Sequence, residues 1–205
     1  MSITVEDIQT LRKESGAGMM DAKRALQDAG GDMEKAKDLL RERGLAEAAR
    51  RTERVQSEGT IGSYLHYQSG RPVIGVLVEL AAETDFVAKS EDFQTAANDI
   101  ALHIAAARPE WVRQEDVPED IVAEESRLIE AQARNEGKPD HIIDRIVEGR
   151  LRSFYEERVL YDQTYVRAEQ FEGTVGDMVK NLAATMGENI SVARFSRLQV
   201  GQDSE

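Results

Sequence analysis

Few residues of this 205-residue chain have a type and spacing that could perform chemistry. There is no cysteine, and His66, His103 and His141 lack the local spacing of a metal site. The phosphate-binding and nucleophile motifs GxxxxGK(S/T), GxGxxG and GxSxG are absent. With 39 acidic residues, carboxylate pairs that fit a general acid–base template arise by chance. The sequence therefore predicts a protein that is not an enzyme and that binds no metal or cofactor.

The stretch TDF at 84–86 places a carboxylate beside an aromatic ring where a helix is expected to begin. An apolar, strand-like run precedes it and a helical pattern follows it. Read locally, Phe86 enters the core and Asp85 stabilises the positive N-terminal end of the helix. In the alternative interpretation the pair faces outward and contacts a partner. The local pattern favours the first interpretation.

Met19 and Met20 raise the same question at an earlier helix start. Because neighbouring residues on a helix point in different directions, both cannot face the core. Either Met20 is in the core with Met19 half exposed, or the two thioethers form an adaptable contact surface. Composition alone favours the core position for Met20.

The charge of the chain is unevenly distributed. Of its 26 basic and 39 acidic residues, 11 of each lie in 1–55, so 56–205 carries the whole net charge of −13. Such an acidic surface repels phosphate backbones, and we expect no direct binding of nucleic acid. The longest apolar runs are well short of the roughly 20 residues of a membrane span. Together with a polar, acidic N-terminus, this predicts a cytoplasmic protein that does not bind membranes.

Residues 1–55 are expected to form a small domain, a three-helix bundle followed by a linker helix. Thr4 is positioned to cap the first helix, and Gly30-Gly31 supplies a left-handed end to the second. Asp32 is positioned to cap the third helix, which we expect to end at Gly44. A core this small predicts marginal stability.

Residues 56–205 are expected to form an α+β core domain. Strand-like runs at its two ends predict an antiparallel sheet, and two long helical patterns separated by Gly137-Lys138-Pro139 predict an antiparallel helical hairpin. We expect this hairpin to project from the core, because its apolar stripe is narrow and its charge is dense. The predicted elements are a β-hairpin around Gln68–Arg71, a helix at 91–107, the helical hairpin at about 118–159, a strand within 159–171, a helix capped by Thr174 and Asp177, and a closing strand from Ile190 to Val200.

Five stretches resemble the translation elongation factor Ts family, in the same order and across nearly the whole chain. They are LRKESGAGMMDAKRALQDAGGDMEKAKDLLRERG, GSYLHYQSGRPVIGVLVEL, TDFVAKSEDF, EGRLRSFYEERVL and GENISVARF. GAGMMD and TDFVAK are specific when they occur together. The chain resembles the short form of this family, which has a single compact core repeat.

The resemblance implies a guanine-nucleotide exchange factor of translation elongation. Such a factor binds elongation factor Tu in its GDP-bound and nucleotide-free states, disrupts its magnesium and phosphate site, and promotes GDP release so that GTP can bind. The resemblance also implies that the N-terminal bundle is ubiquitin-associated-like. Because some short members are described as dimers, it leaves open a homodimer, and whether the helical hairpin contacts elongation factor Tu or a second copy.

The resemblance further implies which residues bind the partner. The stretch 84–86 would insert beside the magnesium site, and the N-terminal stretch would contact the nucleotide-binding domain of elongation factor Tu. Three further residues match positions near the nucleotide-site contacts of the family. The complete predicted set is Thr84, Asp85 and Phe86; Arg12, Met19 and Met20; and His66, Met186 and Gly187.

Two other functions are compatible with parts of the sequence. A ubiquitin-associated-type adaptor would bind its partner through residues 1–45 alone and would not need the stretch 84–86. A carboxylate-based hydrolase would need two acids in an apolar cleft, and nothing in the sequence places such a pair. Release of GDP from elongation factor Tu separates the three functions.

Overall fold

The computed structural model describes residues 3–15, 17, 19–52 and 54–202, with the backbone alone for 44–52. The chain forms two compact units, Met1–Arg54 and Val55–Glu205. As predicted, the fold class is α+β, with helices before a three-stranded antiparallel sheet. In the described part of the chain, no helix is both long and apolar enough to cross a membrane.

The first unit consists of three helices, α1 (Val5–Ser15), α2 (Met19–Asp28) and α3 (Met33–Thr52). The predicted cap of α1 is confirmed, since the Asp7 amide donates to Thr4 Oγ1 and the Thr4 amide to Asp7 Oδ2. Helix α2 ends in the predicted glycine pair, and the Gly31 amide donates to the Leu26 carbonyl at 2.9 Å. The small core of this unit contains, among others, Ile8, Leu11, Ala22, Ala25, Leu26 and Ala36.

The predicted end of the third helix at Gly44 is wrong, because α3 continues to Thr52. A glycine inside a helix costs only about 1 kcal/mol relative to alanine. The residues after Gly44, LAEAARR, are mostly strong helix formers, and they outweigh that cost. Of the predicted break between α1 and α2, Gly16 and Gly18 lie outside the described residues.

The sheet of the second unit has the order β1–β2–β3, and both strand pairs are antiparallel. Its strands are β1 (Glu58–Gln68), β2 (Arg71–Ala82) and β3 (Ser191–Gln199). The predicted β-hairpin is confirmed: β1 and β2 are joined through Ser69 and Gly70, which both have positive φ (52° and 80°), as a type I′ hairpin turn requires. The prediction that strands from both ends of this region share one sheet is also confirmed.

Helices α4 (Asp85–Ala88) and α5 (Glu91–Ala107) follow β2, and α5 packs against β1 and β2. Gly62 permits this packing, because a Cβ at that position would overlap the Ala97 carbonyl. The sheet buries one face, and its other face exposes apolar side chains. The largest fully buried side chains in this core include Val78, Leu80, Phe93, Ile100 and Ile104.

Helices α6 (Glu119–Asn135) and α7 (Asp140–Arg158) form the antiparallel hairpin that was predicted for this region. Between them Gly137 has φ 73°, and the Lys138 amide closes the end of α6 on the Ala133 carbonyl at 3.1 Å. Ile129, Ala133 and Ile143 are buried in the hairpin. Its base rests on a separate small cluster around Phe154 and Val159.

The strand predicted within 159–171 is wrong. Leu160–Asp162 is a 3₁₀ helix, and Val159 and Thr164 make single bridges rather than a ladder. The Leu160 and Tyr161 amides are already bound to the Trp111 and Val112 carbonyls, so they are unavailable to a sheet. Helix α8 (Val175–Met186) follows.

Candidate functional site

Thr84, Asp85 and Phe86 are the N-cap and the first two residues of α4, just after β2, and are named the 84–86 turn. Thr84 is extended (φ −124°, ψ 153°) and caps α4, since its Oγ1 accepts from the Val87 amide at 3.4 Å. Val87 and Ala88 are buried, with 7% exposure each. Because they occupy the inward side of this single helical turn, Phe86 faces solvent and is 83% exposed. The local interpretation in which Phe86 enters the core is therefore wrong.

Asp85 is ionised and paired with Lys89, the residue that follows α4. Its Oδ2 lies 2.5 Å from Lys89 Nζ, an i,i+4 contact in which both side chains are mostly exposed. The hydrogen bond from Lys89 is the main cause that holds the pKa of the Asp85 carboxyl below its usual range, and backbone amides at the helix start add to it. A partner that docks here meets an acid–lysine pair next to an exposed aromatic ring.

The 84–86 turn is held by a residue that sequence reasoning missed. Glu188 Oε2 accepts from the backbone amides of Glu83 and Thr84, each at 3.1 Å, and its Oε1 accepts from Thr84 Oγ1 at 2.5 Å. In the opposite direction, Glu83 Oε1 accepts from the Asn189 amide at 2.6 Å. The only sequence signal was the stretch GENI, in which Glu188 follows the glycine at the end of α8.

These hydrogen bonds of Glu188 and Glu83, named the clamp, also bring two other predicted residues near the 84–86 turn. Met186, half-buried, is the last residue of α8, and Gly187 is its exposed left-handed cap with φ 73°. They are the two residues before Glu188, so the fold brings them close to Thr84 although about 100 residues separate them in the chain.

His66 is not part of this assembly. It is exposed on β1 and pairs with Ile74 of β2, which lies eight residues before the end of that strand at Ala82. At a rise of about 3.4 Å per residue, this separation is about 27 Å along the strand. A contact of His66 with a partner stays a prediction, and in a single chain it would be a second contact, away from the 84–86 turn.

Met19 and Met20 lie in the first turn of α2 and are both exposed, by 42% and 66%. The interpretation that put Met20 in the core is wrong, because Ala22, Ala25 and Leu26 occupy the buried positions of this helix. Arg12, near the end of α1, is also exposed. These three side chains are accessible to a partner; that they bind one stays a prediction.

His103 is fully buried, and its environment is that of a structural residue. Its Nε2 lies 2.9 Å from Gln163 Oε1, and its Nδ1 accepts from the Val166 amide at 3.3 Å. Burial lowers the pKa of the imidazole, so His103 is neutral and donates from Nε2. Gln163 Nε2 in turn donates to the Ala107 and Glu157 carbonyls, which joins the ends of α5 and α7. Within the described ranges, no group of three or more acidic or histidine side chains could hold a metal ion.

The chain thus combines a small helical unit with an α+β unit that exposes an acid–aromatic turn, and comparison with known proteins assigns it to a class. The family model described as "Elongation factor TS" matches residues 34–202. The chain is thereby placed among the translation elongation factors.

The chain aligns with known relatives over nearly its whole length. The chain is 46% identical over 200 residues to elongation factor Ts of Thermosipho melanesiensis, covering 98% of this chain and 100% of the relative. It is 47% identical over 200 residues to the elongation factors Ts of Carboxydothermus hydrogenoformans and Moorella thermoacetica, covering 98% of this chain and 90% and 96% of theirs. The chain belongs to the elongation factor Ts family.

Proposed function

We propose that this chain is the guanine-nucleotide exchange factor of elongation factor Tu. It binds the GDP-bound partner, disrupts the magnesium and phosphate site, and promotes release of GDP so that GTP can bind. One observation carries this function: Phe86 is 83% exposed beside an ionised Asp85, on a clamped turn of a chain in the elongation factor Ts family. In this proposal, exchange takes place in the cytoplasm. It requires no catalytic residue of this chain and no direct contact with nucleic acid or a membrane.

Exchange of this kind needs differential binding rather than bond chemistry. GDP is held by backbone amides around its phosphates and by Mg²⁺, which links phosphate oxygens to protein ligands. An exchange protein that binds the nucleotide-free partner more tightly than the GDP-bound one lowers the affinity of the partner for GDP by the same ratio. Each tenfold change in nucleotide affinity corresponds to about 1.4 kcal/mol of that difference.

Phe86 is suited to supply this difference as a wedge. A phenylalanine ring buries on the order of 150–250 Å² when it is fully enclosed, enough to displace side chains that organise a metal site. The ring projects from a helical turn whose next two residues are buried in the core, which anchors the backbone that carries it. Asp85 would perturb the charged network around Mg²⁺ and is held in its ionised form by Lys89.

Additional contacts would strengthen the complex. Met186 and Gly187 lie beside the 84–86 turn and would extend its contact surface. Arg12, Met19 and Met20, as exposed side chains of the first unit, would form a second attachment to the nucleotide-binding domain of the partner. His66 would contact the partner from β1.

We include a second copy of this chain as a further partner. The outer face of the sheet exposes large apolar side chains from all three strands, beside one ion pair between Glu79 and Arg194, and exposed apolar patches mark interaction sites. Leu65, Gly75 and Leu198 lie in one row across the strands. The exposed apolar residues of this outer face are Ile61, Leu65, Leu77, Leu198 and Val200, each more than half exposed.

The homodimer is tested by molar mass in solution over a range of protein concentrations, with wild type and Leu198→Asp. A charge at the β3 end of the apolar row should shift a dimer to a monomer. A wild-type monomer at every concentration would exclude the second copy without affecting the exchange function.

The exchange function is tested by release of a fluorescent GDP from elongation factor Tu, in the presence of excess unlabelled GDP. Substoichiometric amounts of this protein should accelerate release, because each molecule acts repeatedly. Stable binding without acceleration would instead support an adaptor function, and residues 1–45 alone should then bind as well as the whole chain. If the protein neither binds elongation factor Tu nor accelerates GDP release, both functions are contradicted.

A further inference from the structure

We infer that Glu188 is a positioning residue for exchange: its carboxylate fixes the 84–86 turn in the orientation that presents Phe86. This inference rests on the exchange function proposed above. Glu188 acts through Thr84, and it is not required to contact the partner.

Backbone geometry explains why the turn needs this carboxylate. Strand β2 ends at Ala82, so the amides of Glu83 and Thr84 are beyond its ladder with β1. Helix α4 begins at Asp85, and the amides at a helix start have no partner within the helix. Both amides of the strand-to-helix junction donate to the same oxygen, Glu188 Oε2.

The second oxygen of Glu188 controls the helix cap. Thr84 Oγ1 donates its proton to Glu188 Oε1 at 2.5 Å, so its lone pairs are left for the Val87 amide at 3.4 Å. A chain of hydrogen bonds therefore runs from the first turn of α4 through the hydroxyl to the carboxylate. Hydrogen bonds in such a chain polarise and strengthen one another. Phe86 lies between Thr84 and Val87, and this chain fixes the backbone on both sides of it.

The clamp also joins parts of the fold that are distant in sequence. Glu188 follows the left-handed cap of α8 and precedes β3, whereas the 84–86 turn follows β2. The bond from the Asn189 amide to Glu83 Oε1 closes the same junction from the other side. Without the carboxylate, Phe86 would sample more orientations, and ordering it on binding would cost part of the interaction free energy.

Two substitutions separate positioning from a direct effect of charge. In Glu188→Gln, the amide oxygen can accept from both backbone amides, and the amide nitrogen can donate to Thr84 Oγ1. In Glu188→Ala, all three bonds are lost. Asp99→Ala is the matched control, because it removes a carboxylate that bonds a distant residue, Arg167, elsewhere in the same unit.

We expect Glu188→Ala to lower kcat/KM for GDP release about tenfold, with Glu188→Gln and Asp99→Ala within about twofold of wild type. Hydrogen exchange gives an independent readout: in Glu188→Ala the amides of Thr84 and Val87 should lose protection, while that of Ile100 in the core should keep it. Loss of protection at Ile100 as well would mean that the substitution destabilises the whole unit.

Three results would overturn the positioning role. Unchanged exchange activity in Glu188→Ala would show that the clamp is dispensable, and an equal loss in Glu188→Gln would assign the effect to the charge. Global loss of amide protection would assign it to stability. If wild-type protein failed to accelerate GDP release, the exchange function would fail, and protection of the Thr84 amide would still test the clamp.

Discussion

The substitution Phe86→Ala should reduce exchange activity while leaving the fold unchanged. Phe86 is 83% exposed, so truncating it removes almost no contact from the core. Substitutions at such exposed positions change the free energy of unfolding by less than about 0.5 kcal/mol. Any larger loss of activity must then come from the complex with elongation factor Tu.

The size of that loss follows from the area that the ring would bury. A ring that passes from this exposure into a pocket removes on the order of 150 Å² from water, worth about 4 kcal/mol at ~25 cal/mol per Å². Alanine retains the Cβ, and truncations at interface centres cost about 2 kcal/mol or more. We therefore expect a loss of about 2–3 kcal/mol, which is a fall in kcat/KM of about 30- to 150-fold.

The assay is stopped-flow release of fluorescent GDP over a range of exchange-factor concentrations, with unfolding of each variant followed in parallel by denaturant titration. Val55→Ala serves as a control, because Val55 is 81% exposed and also in the second unit. The wedge would be refuted by a Phe86→Ala variant that folds normally and exchanges GDP like wild type. It would also be refuted by a variant whose loss of activity matches a loss of folding stability.

Three further predictions concern deletion of the first unit and two buried positions of the second unit. Deletion of 1–55 should raise the KM for elongation factor Tu while 56–205 keeps its own buried core and its unfolding transition, and an unchanged KM would contradict a second attachment. Burial lowers the pKa of His103 in the folded protein, so below about pH 6.5 the unfolded state binds more protons than the folded state. The free energy of unfolding should therefore decrease as the pH is lowered through this range. In His103→Gln, the free energy of unfolding should decrease less between pH 7.5 and pH 5.5, as measured by equilibrium denaturation. Gly62→Ala should lower the free energy of unfolding by about 1–3 kcal/mol or more in the same assay, since its Cβ overlaps the Ala97 carbonyl.

Features set by neighbouring residues could be predicted from the sequence. The caps of α1 and α8 each use a threonine and an aspartate three residues later, and both form the reciprocal bonds expected. The turn at Ser69-Gly70 and the glycine that closes α6 follow from the conformational freedom of glycine. These signals are short-range, so they need no knowledge of the rest of the fold.

Two features were not predicted, one because local signals conflict and one because it depends on a distant contact. Gly44 looked like a helix end because its local cost is visible, whereas the residues that continue α3 act over the whole following stretch. The segment after Val159 has an apolar pattern, but its amides bind Trp111 and Val112, about 50 residues earlier. The bonds to Trp111 and Val112 leave no local signal in the sequence, whereas the helix formers after Gly44 are visible there and were underweighted.

The candidate site shows the same limit. Local pattern put Phe86 in the core, although Val87 and Ala88 take the buried positions. The resemblance to the elongation factor Ts family, carried by TDFVAK, pointed outward instead. Neither approach identified Glu188, because its bonds to Thr84 span 104 residues.

The wedge is tested most directly by comparing two affinities, those of this protein for nucleotide-free and for GDP-bound elongation factor Tu, in wild type and Phe86→Ala. Wild type should bind the nucleotide-free form much more tightly, because linkage requires such a difference in an exchange factor. Phe86→Ala should lose about 30-fold or more of its affinity for the nucleotide-free form and far less for the GDP-bound form. Equal losses for both forms would mean that Phe86 only holds the partner, and the wedge would be wrong.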